Sequence, residues 1–572
     1  MSTTQLSLYN RTSERSDTFV NDYKRRQRAQ LVIAVVLTVL LGLLYLVANG
    51  NVAAPLGPFV LIGIVIVLWK RPDMLLPITV AGACLFETEL YNFQDSLTDR
   101  VPLFWDVNTI FQVYGHADVH AVPFSLFEII LIIGAVFALI RGVYDRSLNL
   151  KGGTFIAPIA AYLFCVACGI ANGLATGGDY HIALFEVRAQ FYILFAYLIA
   201  LNTGGHPRDV ARTTMWVSAV CIGLKGILLT IRFLVTFGGK TNPDLGVGAH
   251  EESFFFNEFV ALLFVLKMAD IEPMLRRVML CLLPFVLIAN LANERRAATA
   301  ALAVAVPVLL AMSFVAFPLK RRFIGGLVFA MVVLAAVYLP AFWNSDGVLA
   351  QPARAIRSNF EPSDRDQSSD MYRIQEDGNL MYTMRTSPII GFGYGKPIYN
   401  TNGMVDVTNF DPLVMYITHD QILWVWMRLG AVGFIVFWVM ISNFLIRSAN
   451  VSADPTYDVY ARATGVFVAT TIAMLLVFGL YDIQLSNVRD VLLSNLWIGV
   501  LGAVLLRRAE QEEYARIKRV ATMQRYLQPR RSKALGYSYM PTRSGPVSSS
   551  MGITRLSLDA QRAKGPTSTS QH

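Results

Sequence analysis

Long apolar runs with short polar connections dominate this sequence and limit what it can fold into. Windows of roughly twenty residues, the length that crosses a bilayer as a helix, pick out fourteen such runs. They are 31–48, 55–69, 72–86, 123–140, 154–171, 182–201, 211–236, 254–269, 275–292, 297–317, 323–342, 421–446, 461–481 and 489–506. Because backbone in lipid must satisfy its own hydrogen bonds, the runs predict an all-α polytopic membrane protein with about 14 transmembrane helices. The count falls to 12–14 if the short runs 72–86 and 254–269 are re-entrant.

The amount and placement of charge agree with this fold class. Only 16% of the 572 residues are charged, against roughly 25% in soluble domains. The net charge of +9 arises at the ends: residues 507–572 carry 13 Lys and Arg against 4 Asp and Glu, and residues 1–30 carry 6 against 3. Basic ends are typical of cytoplasmic segments that meet anionic membrane lipids, so the charge does not indicate a nucleic-acid partner.

The distribution of Lys and Arg among the connections predicts the orientation. Alternate connections are rich and poor in basic residues, and the rich ones are expected inside. The largest outer loop then lies between the eleventh and twelfth spans. The predicted organisation is a cytoplasmic segment 1–30, transmembrane helices 31–342, an extracytoplasmic loop 343–420, transmembrane helices 421–506, and a basic, largely disordered cytoplasmic tail 507–572.

The outer loop before the twelfth span holds most of the unusual polar residues. Its segment S-S-D-M-Y-R-I-Q-E-D-G-N-L spaces Arg373 and Glu376 for one helical face. A glycine-dense turn, G-F-G-Y-G at 391–395, predicts positive φ or close backbone approach. The loop closes on His419 and Asp420, directly before an apolar helix. A helix, a tight turn and a histidine at a membrane border together indicate a site.

Three further arginines are predicted on the same outer side. Arg188 lies in an apolar run, and Arg295 and Arg296 lie in a short connection between two such runs. An arginine at bilayer depth costs about 2.5–3.5 kcal/mol and usually faces a cavity or an anionic partner. Two interpretations stay open: snorkelling to headgroups or pairing with Glu186 or Glu294, and an anion-binding cavity.

Other polar patterns carry less information. The pair His116-x-x-x-His120 has metal-ligand spacing on a helix, but nothing predicts a helix there, and we interpret it as surface loop. His250 opens an H-E-E sequence that lines a vestibule or marks a membrane boundary. Cys165-x-x-Cys168 has no second pair to complete a metal site. No Walker or Rossmann glycine motif occurs, so the sequence gives no support for ATP-driven transport, and no metal or cofactor is predicted.

The order of these motifs resembles a known family. Arg188 lies in a central helix, an Arg-Arg-small-small helix start begins at Arg295, and a long outer loop follows. That loop carries R-x-x-E, P-x-x-G-x-G-x-G and a terminal His before L-x(6)-G-x-x-G. Over roughly residues 180–480 this pattern resembles the O-antigen ligase and O-antigen polymerase superfamily of bacterial envelope glycosyltransferases.

The resemblance implies a class C glycosyltransferase-like helical fold that works on the outer leaflet. The donor would be a glycan on a polyprenyl pyrophosphate carrier of the undecaprenyl type, and the acceptor a hydroxyl of a glycan, a lipid or a protein. By position, Arg188, Arg295 and Arg296 correspond to the family's phosphate-binding arginines. His419 corresponds to the histidine of a His-Asn pair, whose second position is Asp420 here.

The chemistry of the residues agrees with that implication. A glycosyl pyrophosphate already has a stable leaving group, so it needs cations to hold the departing charge, and the planar fork of arginine suits phosphate. The acceptor hydroxyl needs a base that works near neutral pH, which favours His419. Arg373, Glu376 and Asp420 are further candidates for substrate binding in a metal-independent site. The alternative for His419 is a residue that only caps a helix.

Two other function classes stay open. A transporter or flippase of lipid-linked glycans would also have many spans and arginines facing the membrane, but it is expected to show inverted repeats or paired broken helices. A non-catalytic envelope assembly scaffold with an outer domain would use its basic tail. Convergence of Arg188, Arg296 and His419 in the folded chain is expected of an enzyme and not of a scaffold.

Overall fold

In a computed structural model the described residues are 53–87, 98, 101, 103–106, 124–144, 153–202, 205–240, 246–345, 347–405, 408 and 413–527. Within them the chain is helical, and the one β-bridge joins Asp106 to Ser125. In chain order the helices are α1 (Ala53–Lys70), α2 (Leu75–Leu85), α3 (Leu126–Tyr144), α4 (Ile156–Ala175), α5 (Tyr180–Asn202), α6 (Pro207–Val235), α7 (His250–Ala269), α8 (Pro273–Ala292), α9 (Arg296–Ala316), α10 (Arg321–Phe342), α11 (Gln351–Arg357), α12 (Asp364–Thr386), α13 (Gln421–Ala453), α14 (Val459–Phe478) and α15 (Val488–Leu527).

Ten segments of the described chain are helical, long and apolar enough to cross a membrane: α3–α6, α8, α9, α10 with the short 3₁₀ turn before it, and α13–α15. The chain is therefore a multi-pass membrane protein built of helices. The count of fourteen is not confirmed. The run 31–48 lies outside the described residues, and α1, α2 and α7, which cover the runs 55–69, 72–86 and 254–269, are not among the ten.

The spans differ in how much of their surface they bury. In α14, 78% of the apolar window is buried, whereas in the span containing α10 the figure is 6%. An apolar helix that buries almost nothing against protein offers its side chains to lipid, while α14 lies at the centre of the bundle. It packs there against α9, α13 and α7.

The chain divides into two compact units, 1–510 and 511–572. Helix α15 continues beyond the last predicted span to Leu527. The rest of the tail, including its predicted disorder, lies outside the described residues.

Candidate functional site

Helix α12 is the polar helix of the outer loop that the spacing of the polar residues predicts. It begins where the Ser363 hydroxyl accepts a hydrogen bond from the backbone N–H of Asp366 at 3.2 Å. The helix directs three acidic side chains towards partners in other segments: Asp366, Asp370 and Glu376. Much of the rest of the helix is exposed. This helix therefore organises the site.

Glu376 contacts both the backbone N–H and the imidazole ring of His419. Its backbone N–H donates to Glu376 Oε2 at 3.0 Å, and its ring Nδ1 lies 3.1 Å from the same oxygen and 3.3 Å from Oε1. The Glu376 side chain is fully buried, whereas 32% of the His419 side chain is exposed. Because an ionised carboxylate only accepts hydrogen bonds, Nδ1 carries the proton and Nε2 is left as the acceptor. This is the tautomer that a general base needs.

The surroundings of His419 set its charge. Burial lowers its pKa, but the hydrogen bond and charge of Glu376, helped by the charge of Asp482, outweigh burial and raise the pKa above its usual value. Arg373 is near enough to oppose this rise. The raised pKa makes the neutral ring of His419 a stronger base than an isolated imidazole.

Asp420 caps the helix that follows. Its Oδ1 accepts from the backbone N–H of Ile422 at 3.0 Å and of Leu423 at 2.9 Å, which makes it the N-cap of α13. The helix-cap role considered for His419 thus belongs to its neighbour. Asp377, also near His419, has its pKa raised to about 6 by burial and by the charges of Asp420 and Glu376.

Arg296 is joined to the same helix. Its Nη2 lies 2.9 Å from Asp370 Oδ1 and its Nη1 lies 3.5 Å from Asp366 Oδ1, while 28% of the side chain is exposed. Arg373, one turn beyond Asp370, forms no ion pair with any described residue. It lies close enough to His419 to act on its pKa. Among the arginines of this face, Arg373 is thus a guanidinium available for an anion.

Asn293 ties the arginine turn to a second segment. Its Oδ1 accepts from the backbone N–H of Gly248 at 2.8 Å, and its Nδ2 donates to the carbonyl of Ala249 at 3.0 Å. These bonds hold the start of α7 against the connection that carries Arg295 and Arg296. The same connection contacts the outer loop, since Glu294 forms an ion pair with Arg354.

The start of α7 contributes a second histidine. His250 Nδ1 lies 2.7 Å from Asp482 Oδ2, and 45% of the His250 side chain is exposed while Asp482 is buried. Burial raises the pKa of Asp482, but the charge and hydrogen bond of His250, with the charges of His419 and Arg295, hold it well below its usual range. The Asp482 turn is also hydrogen-bonded to the His419 segment, because Gln421 N–H donates to the Gly479 carbonyl at 2.9 Å.

The glycine turn at 391–395 is fixed by a buried ion pair. Arg428 Nη1 donates to the carbonyls of Gly393 and Lys396, both at 2.8 Å. Its Nη2 lies 2.6 Å from Glu186, whose other oxygen accepts from the Gly395 N–H at 2.6 Å. Both charged side chains are fully buried. Their hydrogen bonds join α5, the turn and α13 into one support.

The prediction of positive φ in this turn is confirmed. Gly391, Gly393 and Gly395 have φ of 92°, 83° and 82°. A Cβ on Gly393 would stand 2.5 Å from the backbone nitrogen of Gly173 at the end of α4. Glycine is required there for both conformation and space.

Arg188 pairs with acidic residues that the sequence analysis did not consider. Its Nε lies 2.8 Å from Glu128 and its Nη2 lies 2.8 Å from Asp106, so the pairing with Glu186 or Glu294, one part of an interpretation left open, does not hold for Arg188. Glu186 pairs instead with Arg428, because the two are buried together, and Glu294 pairs with Arg354. Arg296, Arg373, Glu376 and His419 converge on α12, whereas the described ion pairs of Arg188 lie elsewhere.

The cluster formed by the described side chains around His419 and Arg296 includes two residues that the sequence does not identify. The H-E-E sequence at His250 indicates a vestibule or a membrane boundary, and no motif marks Asp482. The signal available was that each is an ionisable residue at the same predicted membrane border as His419. The interpretation of His116 and His120 as surface loop cannot be tested, because both residues lie outside the described part of the chain.

Comparison with known proteins supports the resemblance over part of the chain. The O-antigen ligase family matches residues 280–438, a stretch that includes the arginine turn, α12 and His419. This confirms the resemblance to the O-antigen ligase and polymerase superfamily, over a narrower range than roughly 180–480. Arg188, His250 and Asp482 lie outside the matched stretch. No curated protein matches the chain.

Proposed function

Because residues 280–438 form an O-antigen ligase family domain in a multi-pass membrane protein, we propose that this chain is a glycosyltransferase of the ligase or polymerase type. It transfers a glycan from an undecaprenyl-pyrophosphate-type carrier to an acceptor hydroxyl. The transfer takes place at the outer face of the cytoplasmic membrane. The acceptor belongs to a glycan, a lipid or a protein.

The observation that carries the proposal is the arrangement along α12. Glu376 holds the ring of His419, and Asp366 and Asp370, two to three turns earlier, hold Arg296. One rigid helix thus sets the spacing between a base and an arginine. Fixing both groups on one element is what a transfer reaction requires, because the acceptor and the leaving group must be placed together.

The proposed chemical step uses these groups directly. The acceptor oxygen forms a bond to the anomeric carbon while the bond from that carbon to the pyrophosphate oxygen breaks. The electron pair stays on the pyrophosphate, and the acceptor proton passes to Nε2 of His419. Glu376 stabilises the imidazolium that forms.

The arginines take the negative charge of the leaving group. Arg373 offers a guanidinium without an ion-pair partner among the described residues. Arg296 offers the exposed part of its side chain, which its aspartates do not cover. Arg295 lies near Asp482, whose pKa its charge lowers, and we place it with these arginines by its position next to Arg296. With three guanidinium groups for the pyrophosphate, the proposed step needs no metal ion. Arg188 enters as a candidate phosphate contact by resemblance only.

Deleting the gene and examining the lipid-linked glycans tests this function. We expect lipid-linked glycan that has not been transferred to accumulate. Single repeats indicate a polymerase, and long unattached chains indicate a ligase. Complementation with the parent gene should clear the accumulated donor, while His419→Ala should not. A glycan pool unchanged by deletion would contradict the proposal, and full rescue by His419→Ala would favour a non-catalytic scaffold.

A further inference from the structure

A second histidine–carboxylate pair lies beside the one assigned to the acceptor. In both pairs a ring Nδ1 faces a buried carboxylate: His419 faces Glu376 at 3.1 Å and His250 faces Asp482 at 2.7 Å. In both pairs the other ring nitrogen is therefore turned away from the carboxylate, and the ring is partly exposed. Both imidazoles are thus oriented by a buried carboxylate, but the proposed transfer step uses only one of them.

Two connections place the second pair in the same site. The turn that carries Asp482 is bonded to the His419 segment through Gln421 N–H and the Gly479 carbonyl at 2.9 Å. Asn293 bonds the start of α7 to the connection that carries Arg295 and Arg296. His250 thus lies between the segment of the base and the segment of the arginines.

Buried ion pairs fix the helix that carries His250. Glu251 and Glu252 both pair with Arg489, at 2.9 and 2.8 Å, and Glu252 also lies 3.4 Å from Lys225. Arg489 and Lys225 are fully buried. Removing one partner from such a buried pair is costly, so the first turn of α7 is held firmly. His250 is therefore a rigidly placed, partly exposed side chain among buried neighbours.

Charged side chains of several elements surround the contact between His250 and Asp482. Asp482 accepts from Nδ1, and the glutamates that follow on its own helix are turned to Arg489 and Lys225. The opposing cations are Arg295 and His419, which act on the same aspartate. An imidazole that is protonated beside a carboxylate is a donor suited to an oxyanion and unsuited to a neutral hydroxyl that must lose its proton.

Resting on the proposed function, we infer that His250 binds the leaving pyrophosphate: as an imidazolium held by Asp482, it donates its Nε2–H to a phosphate oxygen. The histidine keeps its proton throughout, so the proton from the acceptor still goes to His419. Two imidazoles then serve opposite ends of the reaction. One accepts a proton from the acceptor, and the other hydrogen-bonds the leaving group.

Binding of undecaprenyl pyrophosphate without sugar to the purified full-length protein tests this inference. For the parent we expect tighter binding at about pH 6 than at about pH 8, because an imidazole gains its proton across this range. His250→Gln keeps a polar side chain but cannot become charged. It should weaken binding roughly 10-fold or more at the lower pH and remove most of the pH dependence.

The matched control is His206→Asn. His206 caps α6 by accepting from the Arg208 N–H at 3.2 Å, and asparagine is an equally good cap. It should bind as the parent does. Asp482→Asn, checked for folding by its melting temperature, should move binding in the same direction as His250→Gln.

Parent-like binding by His250→Gln at both pH values overturns the inference. Transfer measured on the same preparations separates this from the function. A parent that binds the pyrophosphate but transfers nothing contradicts the proposed reaction, while the binding comparison still decides the role of His250. Unchanged binding with normal parental transfer rejects the His250 role alone.

Discussion

At His419 the chemistry depends on which ring nitrogen is free and at what pH it is neutral. Glu376 decides both, because it occupies the Nδ1 side at 3.1 Å and raises the pKa of the ring against the effect of burial. The carboxylate is fully buried and therefore shielded from solvent. The pair therefore behaves as one unit, and a change in Glu376 should appear in the behaviour of His419.

Replacing Glu376 with Gln should change the pH profile of transfer. The pKa of His419 lies above its usual value in the parent, so the neutral base is lost as pH falls through that raised value. Without the carboxylate charge the pKa falls, and the acid limb should move to lower pH. The maximal rate should drop roughly 10-fold or more, since the ring loses its orienting partner.

The matched control is Glu361→Gln, an exposed glutamate in the same outer loop. Its profile should equal that of the parent. An acid limb that stays in place in Glu376→Gln would show that His419 is not the titrating base.

Arg296 tests the leaving-group side. Its two terminal nitrogens donate to the two oxygens of Asp370, at 2.9 and 3.4 Å, so lysine keeps the charge but loses the two-pronged contact. Arg296→Lys should raise KM for the donor and lower kcat, reducing kcat/KM roughly 10- to 100-fold. Arg447→Lys, an exposed arginine at the other end of α13, should not change either constant. Parent-like kinetics in Arg296→Lys would move the pyrophosphate site to Arg373 and Arg188.

At the level of elements, the site depends on the fit between the 391–395 turn, α4 and α13. The turn reaches within backbone contact of α4, and Arg428 in α13 bonds its carbonyls. Helix α13 departs from helical geometry at Gly430, where a Cβ would stand 2.2 Å from the Ile389 carbonyl. These close approaches keep the loop rigid on the membrane domain.

Gly393→Ala should therefore be strongly destabilising, while Gly177→Ala should not. Both glycines have positive φ, 83° and 91°, so alanine strains the backbone similarly at each, by about 1–2 kcal/mol. Only Gly393 also meets backbone, at 2.5 Å, whereas Gly177 has no atom within 4 Å of the added Cβ. The melting temperature in detergent should fall much further for Gly393→Ala. Equal losses would mean that strain alone matters and that the turn does not need its close approach.

The elements were more predictable from the sequence than their contacts. Apolar run length predicted the ten spans found among the described residues, and the spacing of Arg373 and Glu376 predicted the helix in the outer loop. The glycine pattern predicted the positive φ of the turn. Such features depend on neighbours along the chain, so local patterns contain them.

Contacts between distant segments could not be predicted in this way. The pairing of Arg188 with Glu128 joins residues 60 apart, and that of His250 with Asp482 joins residues 232 apart. Which carboxylate meets which cation depends on how helices pack, and several choices satisfied the same sequence. The nearby Glu186 was a plausible partner for Arg188, but it is buried with Arg428.

For the whole molecule, the helix directions place the cluster on a single membrane face. Helices α7, α9, α13 and α15 begin next to the cluster, and α8 and α14 end there. The opposite ends of these helices lie near basic residues: Arg276, Lys320, Arg447 and Arg507. The positive-inside rule predicts that those ends are cytoplasmic and that the cluster is outside.

Cysteine labelling tests this orientation. In a chain whose five native cysteines are replaced, Gln367→Cys on the exposed face of α12 should react with an impermeant reagent in cells without an outer barrier. Ala453→Cys, exposed at the far end of α13, should react only after the membrane is opened. The reverse pattern would invert the molecule and remove the outer-face reaction.

The most direct test of the account is glycan transfer by the purified full-length protein with His419 intact and replaced. With a polyprenyl-pyrophosphate-linked glycan as donor, His419→Ala should fold, bind the donor as the parent does, and lose transfer by about 10²–10⁴-fold, the usual contribution of a general base. Near-parent transfer by a folded His419→Ala would contradict the central claim that this imidazole removes the proton from the acceptor.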